Sequence, residues 1–74
     1  MRRWQVIIEG EASAKRFLRT LIVGAPNAEE AGKIARAEFE KDGDRFIELA
    51  EVTHDDAETA DVGLVSISGR IFFG

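Results

Sequence analysis

Residues 24–44 read GAPNAEEAGKIARAEFEKDGD, and this stretch decides the fold. Gly24 and Pro26 interrupt the apolar run before them, and Asn27 opens a helix signal. Its side chain can accept from the orphan amides of a first turn, with Glu30 at the capping-box position three residues on. Glu29 and Glu30 suit the positive end of a helix dipole. Ala28, Ala31, Gly32, Ala35 and Phe39 fall on one stripe with Ile34 at its edge, while Glu29–Lys33 and Arg36–Glu40 can pair on the solvent side. A stripe of such small residues predicts a helix lying close against a sheet. Gly43 is suited to the left-handed cap that ends it.

Outward from this helix the signals are extended. Trp4, Val6 and Ile8 fall on one face at period two in a first strand, and Lys15–Val23 is β-branched and apolar enough for a second. Gly10 to Ser13 reads as the turn between them. After the helix, Arg45–Thr53 alternates as a third strand. His54–Asp61 is polar, with room for one helical turn capped by Thr53 or Asp55, and Val62–Phe73 supplies the last strand material. Ser68-Gly69 fits either a bulge or a hairpin tip. The expected class is α+β: one domain over 1–74 of order β-β-α-β-β, its helix on one face of a mainly antiparallel sheet.

A chain of 74 residues with 45% hydrophobic content and no cysteine is expected to be globular without disulfides or thiolate metal sites. Its apolar runs, Val6–Ile8 and Leu21–Val23, are far below a membrane span. Arg2 and Arg3 have the charge of a signal-peptide start, but Glu9 and Glu11 end the apolar run too early, so a cytoplasmic protein is expected. No cofactor is implied.

The net charge of −4 is unevenly spread. Residues 1–24 hold five basic against two acidic residues, and residues 25–61 hold four basic against twelve acidic. The acidic segment offers Glu38, Asp42, Asp44, Glu48, Glu51, Asp55 and Asp56 to a basic protein partner. The basic hairpin offers Arg2, Arg3, Lys15, Arg16 and Arg19, beside Trp4 and Phe17, as an alternative nucleic-acid face. A pI near 4.9 weighs against that alternative.

Residues 40–51, EKDGDRFIELAE, resemble the twelve-residue calcium loop of the EF-hand. The resemblance implies Asp42, Asp44 and Glu51 as ligands, with Phe46 offering its carbonyl and Ile47 at the apolar eighth position. Glu40 stands where a short Asp is expected, and Arg45 replaces the glycine of the sharp turn.

Reactive constellations are sparse. His54-Asp55-Asp56 has no second ligand pair at helical spacing, and Ser13, Ser66 and Ser68 lie in no nucleophile-elbow context. The expectation is therefore a non-enzymatic adaptor or inhibitor that binds protein. Several strands are apolar on both faces: Ile7 opposes Trp4, Val6 and Ile8, and Leu18 and Ile22 oppose Phe17, Leu21 and Val23. Ile47 and Leu49 are expected to oppose Phe46, Ala50 and Val52, and Leu64 and Phe72 to oppose Val65, Ile67, Ile71 and Phe73. One helix covers one side of such a sheet, so Ile7, Leu18 and Ile22 predict a partner or a sheet-on-sheet homodimer on the other. The competing expectation is that 62–74 folds back across that face.

Overall fold

The computed structural model describes residues 1–73, apart from the side chains of Asp56 and Ala57. The elements are β1 (Arg2–Ala12), β2 (Lys15–Ala25), α1 (Ala28–Glu40), β3 (Arg45–Thr59), β4 (Gly63–Ile67) and β5 (Ile71–Phe72). All strand pairings are antiparallel, in the order β3-β1-β2-β4, with β5 also on β2. The α+β class and the single helix on a mainly antiparallel sheet are as expected.

The first hairpin pairs without interruption from Arg2–Ala25 to Ala12–Lys15. Its turn is Ser13-Ala14, both at left-handed φ (51° and 63°), as a two-residue turn matching strand twist requires. Gly10 is therefore strand, not turn. A Cβ there would meet the Phe39 ring and come within 2.8 Å of the Phe17 ring, so the glycine makes room for aromatic packing. Trp4, Val6, Ile8, Phe17, Leu21 and Val23 are buried on this side of the sheet, beneath Ala31, Ala35 and Phe39 of the helix. The Phe17 and Phe39 rings stack with centroids 6.0 Å apart. Burial of each large side chain is worth about 1.5–3 kcal/mol.

The helix starts as its sequence predicts: the Asn27 carboxamide oxygen accepts from the Glu30 amide at 2.9 Å. The Gly43 amide donates to the Glu40 carbonyl at 3.1 Å, and Gly43 takes φ +80°. Ala28, expected on the packed stripe, is exposed, whereas Ala31, Gly32, Ala35 and Phe39 are buried.

β3 runs on through His54 to Thr59, where a polar loop or helical turn was expected. Pairing with β1 provides for that extension, since Trp4 stands opposite His54 and Arg3 opposite Asp55. The β3 register also shifts three times, between Arg2/Arg3, Ile7/Ile8 and Glu9/Gly10. Each extra residue inverts the alternation, so Phe46, Leu49 and Val52 all stand opposite helix-side residues (Gly10, Ile8 and Val6). The expected opposition of Leu49 to Phe46 and Val52 is corrected accordingly.

From Thr59 the chain crosses the end of the sheet in three residues to reach the far edge. The Ala60 amide donates to the Met1 carbonyl at 3.0 Å. The Asp61 carbonyl lies where a Cβ on Gly24 would sit, so the crossing depends on that glycine. β4 and β5 then follow one edge of β2 in the same direction, which makes 63–72 one interrupted strand rather than a hairpin. It lies in the plane of the sheet and does not fold back across the open face. A shift at Val65 brings Leu64 opposite Val23 and Ile67 opposite Leu21, both on the helix side, where the plain alternation had separated them.

Candidate functional site

The acidic residues do not form one face. Glu38, on the helix, bonds Lys41 at 2.9 Å. Asp42 accepts from the guanidinium of Arg19 at 2.5 Å, and Asp44 accepts from Arg70 Nε at 2.7 Å. Glu48 and Glu51 are exposed and lie opposite Glu9 and Ile7, on the side of the sheet away from the helix. Asp55 is exposed opposite Arg3, and the Asp56 side chain lies outside the described residues.

Asp42 and Asp44 belong to a clamp. Arg19 is buried to 7% exposure on the helix side, and its Nε donates to the Ser68 carbonyl at 2.9 Å while its terminal nitrogen reaches Asp42. The Ser68 hydroxyl accepts from the Thr20 amide at 2.9 Å. These bonds tie the end of α1 to β2 and to the Ser68–Arg70 interruption. The bond from Arg19 holds the Asp42 carboxyl below the usual range; partial burial opposes this, and the charges of Arg19 and Arg70 add to it. Asp44 in turn raises the guanidinium of Arg70 above its ordinary value.

The EF-hand register is not realised in this arrangement. Its Asp42 and Asp44 are held by arginines, its second half is strand from Arg45 onward, and Glu51 points to the opposite side of the sheet. No cluster of three or more His, Asp or Glu side chains suited to a metal occurs among the described residues.

The basic residues are divided too. Arg2 and Arg3 lie at one end of the hairpin and Lys15 and Arg16 at the other, roughly 30 Å apart along extended strand. Arg3 pairs with Glu58 at 3.4 Å and Arg16 with Glu9 at 3.1 Å. Arg19 is buried on the other side of the sheet. Trp4 and Phe17 are core residues, the Trp4 indole donating to the Ala25 carbonyl at 3.0 Å, so neither is free to stack on a base.

The expected apolar set is brought together. Ile7 stands opposite Thr20, with Leu18 and Ile22 two residues to either side, and Ile71 opposite Leu18 extends the group. Ile7, Leu18 and Ile22 are half-buried, and no described element lies over them. The most exposed apolar side chains lie beside them at the β4–β5 edge. Of the eight large hydrophobics that are exposed among the described residues, six fall within 62–73, among them Ile71 (66%), Val62 (59%), Phe73 (47%) and Val65 (46%).

Sequence reasoning passed over Val62, Val65, Ile71 and Phe73 as site residues. The available signal was that 62–73 carries one charge, Arg70, in twelve residues. No helix in the described residues is long and apolar enough to cross a membrane. No protein-family model, curated protein or solved structure matches this chain.

Proposed function

We propose that this chain is a non-enzymatic protein-binding module, of adaptor or inhibitor type, whose contact surface is the β4–β5 edge with the open sheet face beside it. The observation that carries the reading is the concentration of exposed apolar side chains in 62–73, next to Ile7, Leu18 and Ile22. Exposed apolar patches of this kind on small proteins mark interaction sites. A sheet edge adds a row of unpaired backbone groups, which a partner strand can extend.

The groups with most chemical potential are engaged in structure. His54 stands edge-on to Trp4 with centroids 5.3 Å apart, and the Ser68 hydroxyl is bonded to Thr20 and Gly69. Glu48 and Glu51 supply what acidic character the surface has, at its β3 rim. A cytoplasmic setting is part of the reading proposed.

The test is affinity capture from the source cell with the wild-type chain and a Val65→Lys/Ile71→Asp variant. Both substitutions lie on exposed positions, so the fold is retained. Proteins held by the wild type and lost by the variant are expected. Identical capture by both chains would contradict the proposed surface.

A further inference from the structure

We propose that Asp42-Gly43 is a modification site, where aspartate isomerises to isoaspartate through a succinimide, and that the bond from Arg19 is the brake on that reaction. The site lies between α1 and β3, and its chemistry is independent of what the β4–β5 edge binds.

Asp42-Gly43 is the one step in the sequence at which Asp or Asn precedes glycine. Ring closure brings the amide nitrogen of the following residue onto the aspartate Cγ, and glycine puts no side chain in its way. Both residues are exposed, and a Cβ built on Gly43 would meet nothing within 4 Å. The reaction needs only water. The Gly43 nitrogen gives up its proton and bonds to Cγ of the neutral carboxyl, whose C–OH bond breaks, so that proton and hydroxyl leave as one water. A second water then reopens the ring. Cleavage of the bond from nitrogen to Cγ restores aspartate. Cleavage of the bond from nitrogen to the backbone carbonyl leaves the main chain running through Cβ and Cγ, one carbon longer.

The folded chain opposes both halves of ring closure. The Gly43 amide is engaged, donating to the Glu40 carbonyl at 3.1 Å. The Asp42 carboxylate is engaged by Arg19 at 2.5 Å, and Arg19 is itself buried and fixed by its bond to the Ser68 carbonyl. That guanidinium draws the carboxylate toward β2 and keeps it ionised, the form with no hydroxyl to lose.

Isomerisation would also undo the clamp. The added carbon falls at the end of α1, where Asp42 holds Arg19 and Asp44 holds Arg70. Displacing both carboxylates frees Ser68–Arg70 from the helix end. β5 then keeps its pairing with β2 and the bond from the Phe73 amide to the Arg16 carbonyl.

The test is ageing of the full chain at neutral pH, below its melting transition, with isoaspartate located by fragmentation mass spectrometry. In wild type unfolded by guanidinium chloride, isoaspartate is expected at residue 42 ahead of every other acidic position. Folded wild type should form it at least roughly tenfold more slowly, since two bonds must open before the ring closes. Folded Arg19→Met should age at a rate between these two. It should also age faster than Arg70→Met, which cuts the bond to Asp44 and leaves Arg19 on Asp42. Circular dichroism follows the fold of each variant, and the wild-type comparison holds whether or not Arg19→Met folds. Aged wild type carrying isoaspartate, separated by chromatography, should exchange its Ser68–Phe72 amides faster than the unaged chain. No isoaspartate at residue 42 in the unfolded chain overturns the site. Equal rates in folded and unfolded wild type, or a folded Arg19→Met no faster than Arg70→Met, overturns the brake.

Discussion

The two edges of this sheet are built differently. β3 forms one edge with fifteen residues, three register shifts against β1, and Arg45, Glu48, Glu51, Asp55 and Glu58 along its length. Bulges and charges are the devices by which natural sheets keep an exposed edge from pairing with another chain. The opposite edge, β4 and β5, has one register shift and an interruption, but no charged residue within either strand, and it exposes Val65, Ile71 and Phe72. One protein thus carries an edge guarded by charge and one that is not. The difference teaches that the apolar C-terminal segment is not simply surplus, because the same chain shows how an edge is closed to partners when none is wanted.

Gly24→Ala should break the comparison most strongly. Its Cβ would occupy the place of the Asp61 carbonyl, and backbone yields less readily than a flexible side chain. Overpacking of this kind costs about 1–3 kcal/mol. The loss should be local: amide exchange is expected to accelerate in 60–64, where the crossing meets β4, and to change little in β3 beyond the crossing. Uniform acceleration along both edges would show that the crossing does not set the β4 edge.

A smaller effect should come from acid. The Asp42 carboxyl titrates below its unfolded value because Arg19 donates to it. Its contribution to stability is therefore complete above the unfolded carboxylate value of about 3.9, and is lost as pH falls through the lower folded value. Melting temperature should drop across that acid window, and Asp42→Asn should be less stable at neutral pH with a flatter acid profile. Since the clamp includes Ser68, amides near the β4–β5 interruption should lose protection before those of β3. Equal acid sensitivity in wild type and Asp42→Asn would remove the clamp from the account.

The helix and the first hairpin were legible because each depends on neighbours in sequence. Asn27 caps Glu30, Gly43 follows the last turn, and the period-two apolar positions of β1 and β2 assign Ile7, Leu18 and Ile22 to the open side. Gly10 was misread because a glycine marks either a turn or a close approach, and the approaching ring belongs to Phe39, far along the chain. The extension of β3 was hidden because an edge strand needs no apolar residues on its solvent side, so His54–Thr59 looks like loop. Its bulges leave no compositional mark, yet each one exchanges the two faces.

The site was legible as charge and apolarity but not as arrangement. Asp42 and Asp44 looked available until Arg19 and Arg70, 23 and 26 residues away, were placed against them. The apolar run 62–73 read as strand, but its place at an uncovered edge follows from the short crossing over β1 and β2, which no local pattern encodes.

The central claim, that the β4 edge is the surface of association and the β3 edge is closed, is tested most directly by amide hydrogen exchange of the chain alone and with a protein that the wild type captures and the Val65→Lys/Ile71→Asp variant does not. Protection of the Gly63–Ile67 amides should rise when that protein is added, with β3 amides unchanged. Protection that is unchanged in β4, or that rises in β3 instead, would contradict it.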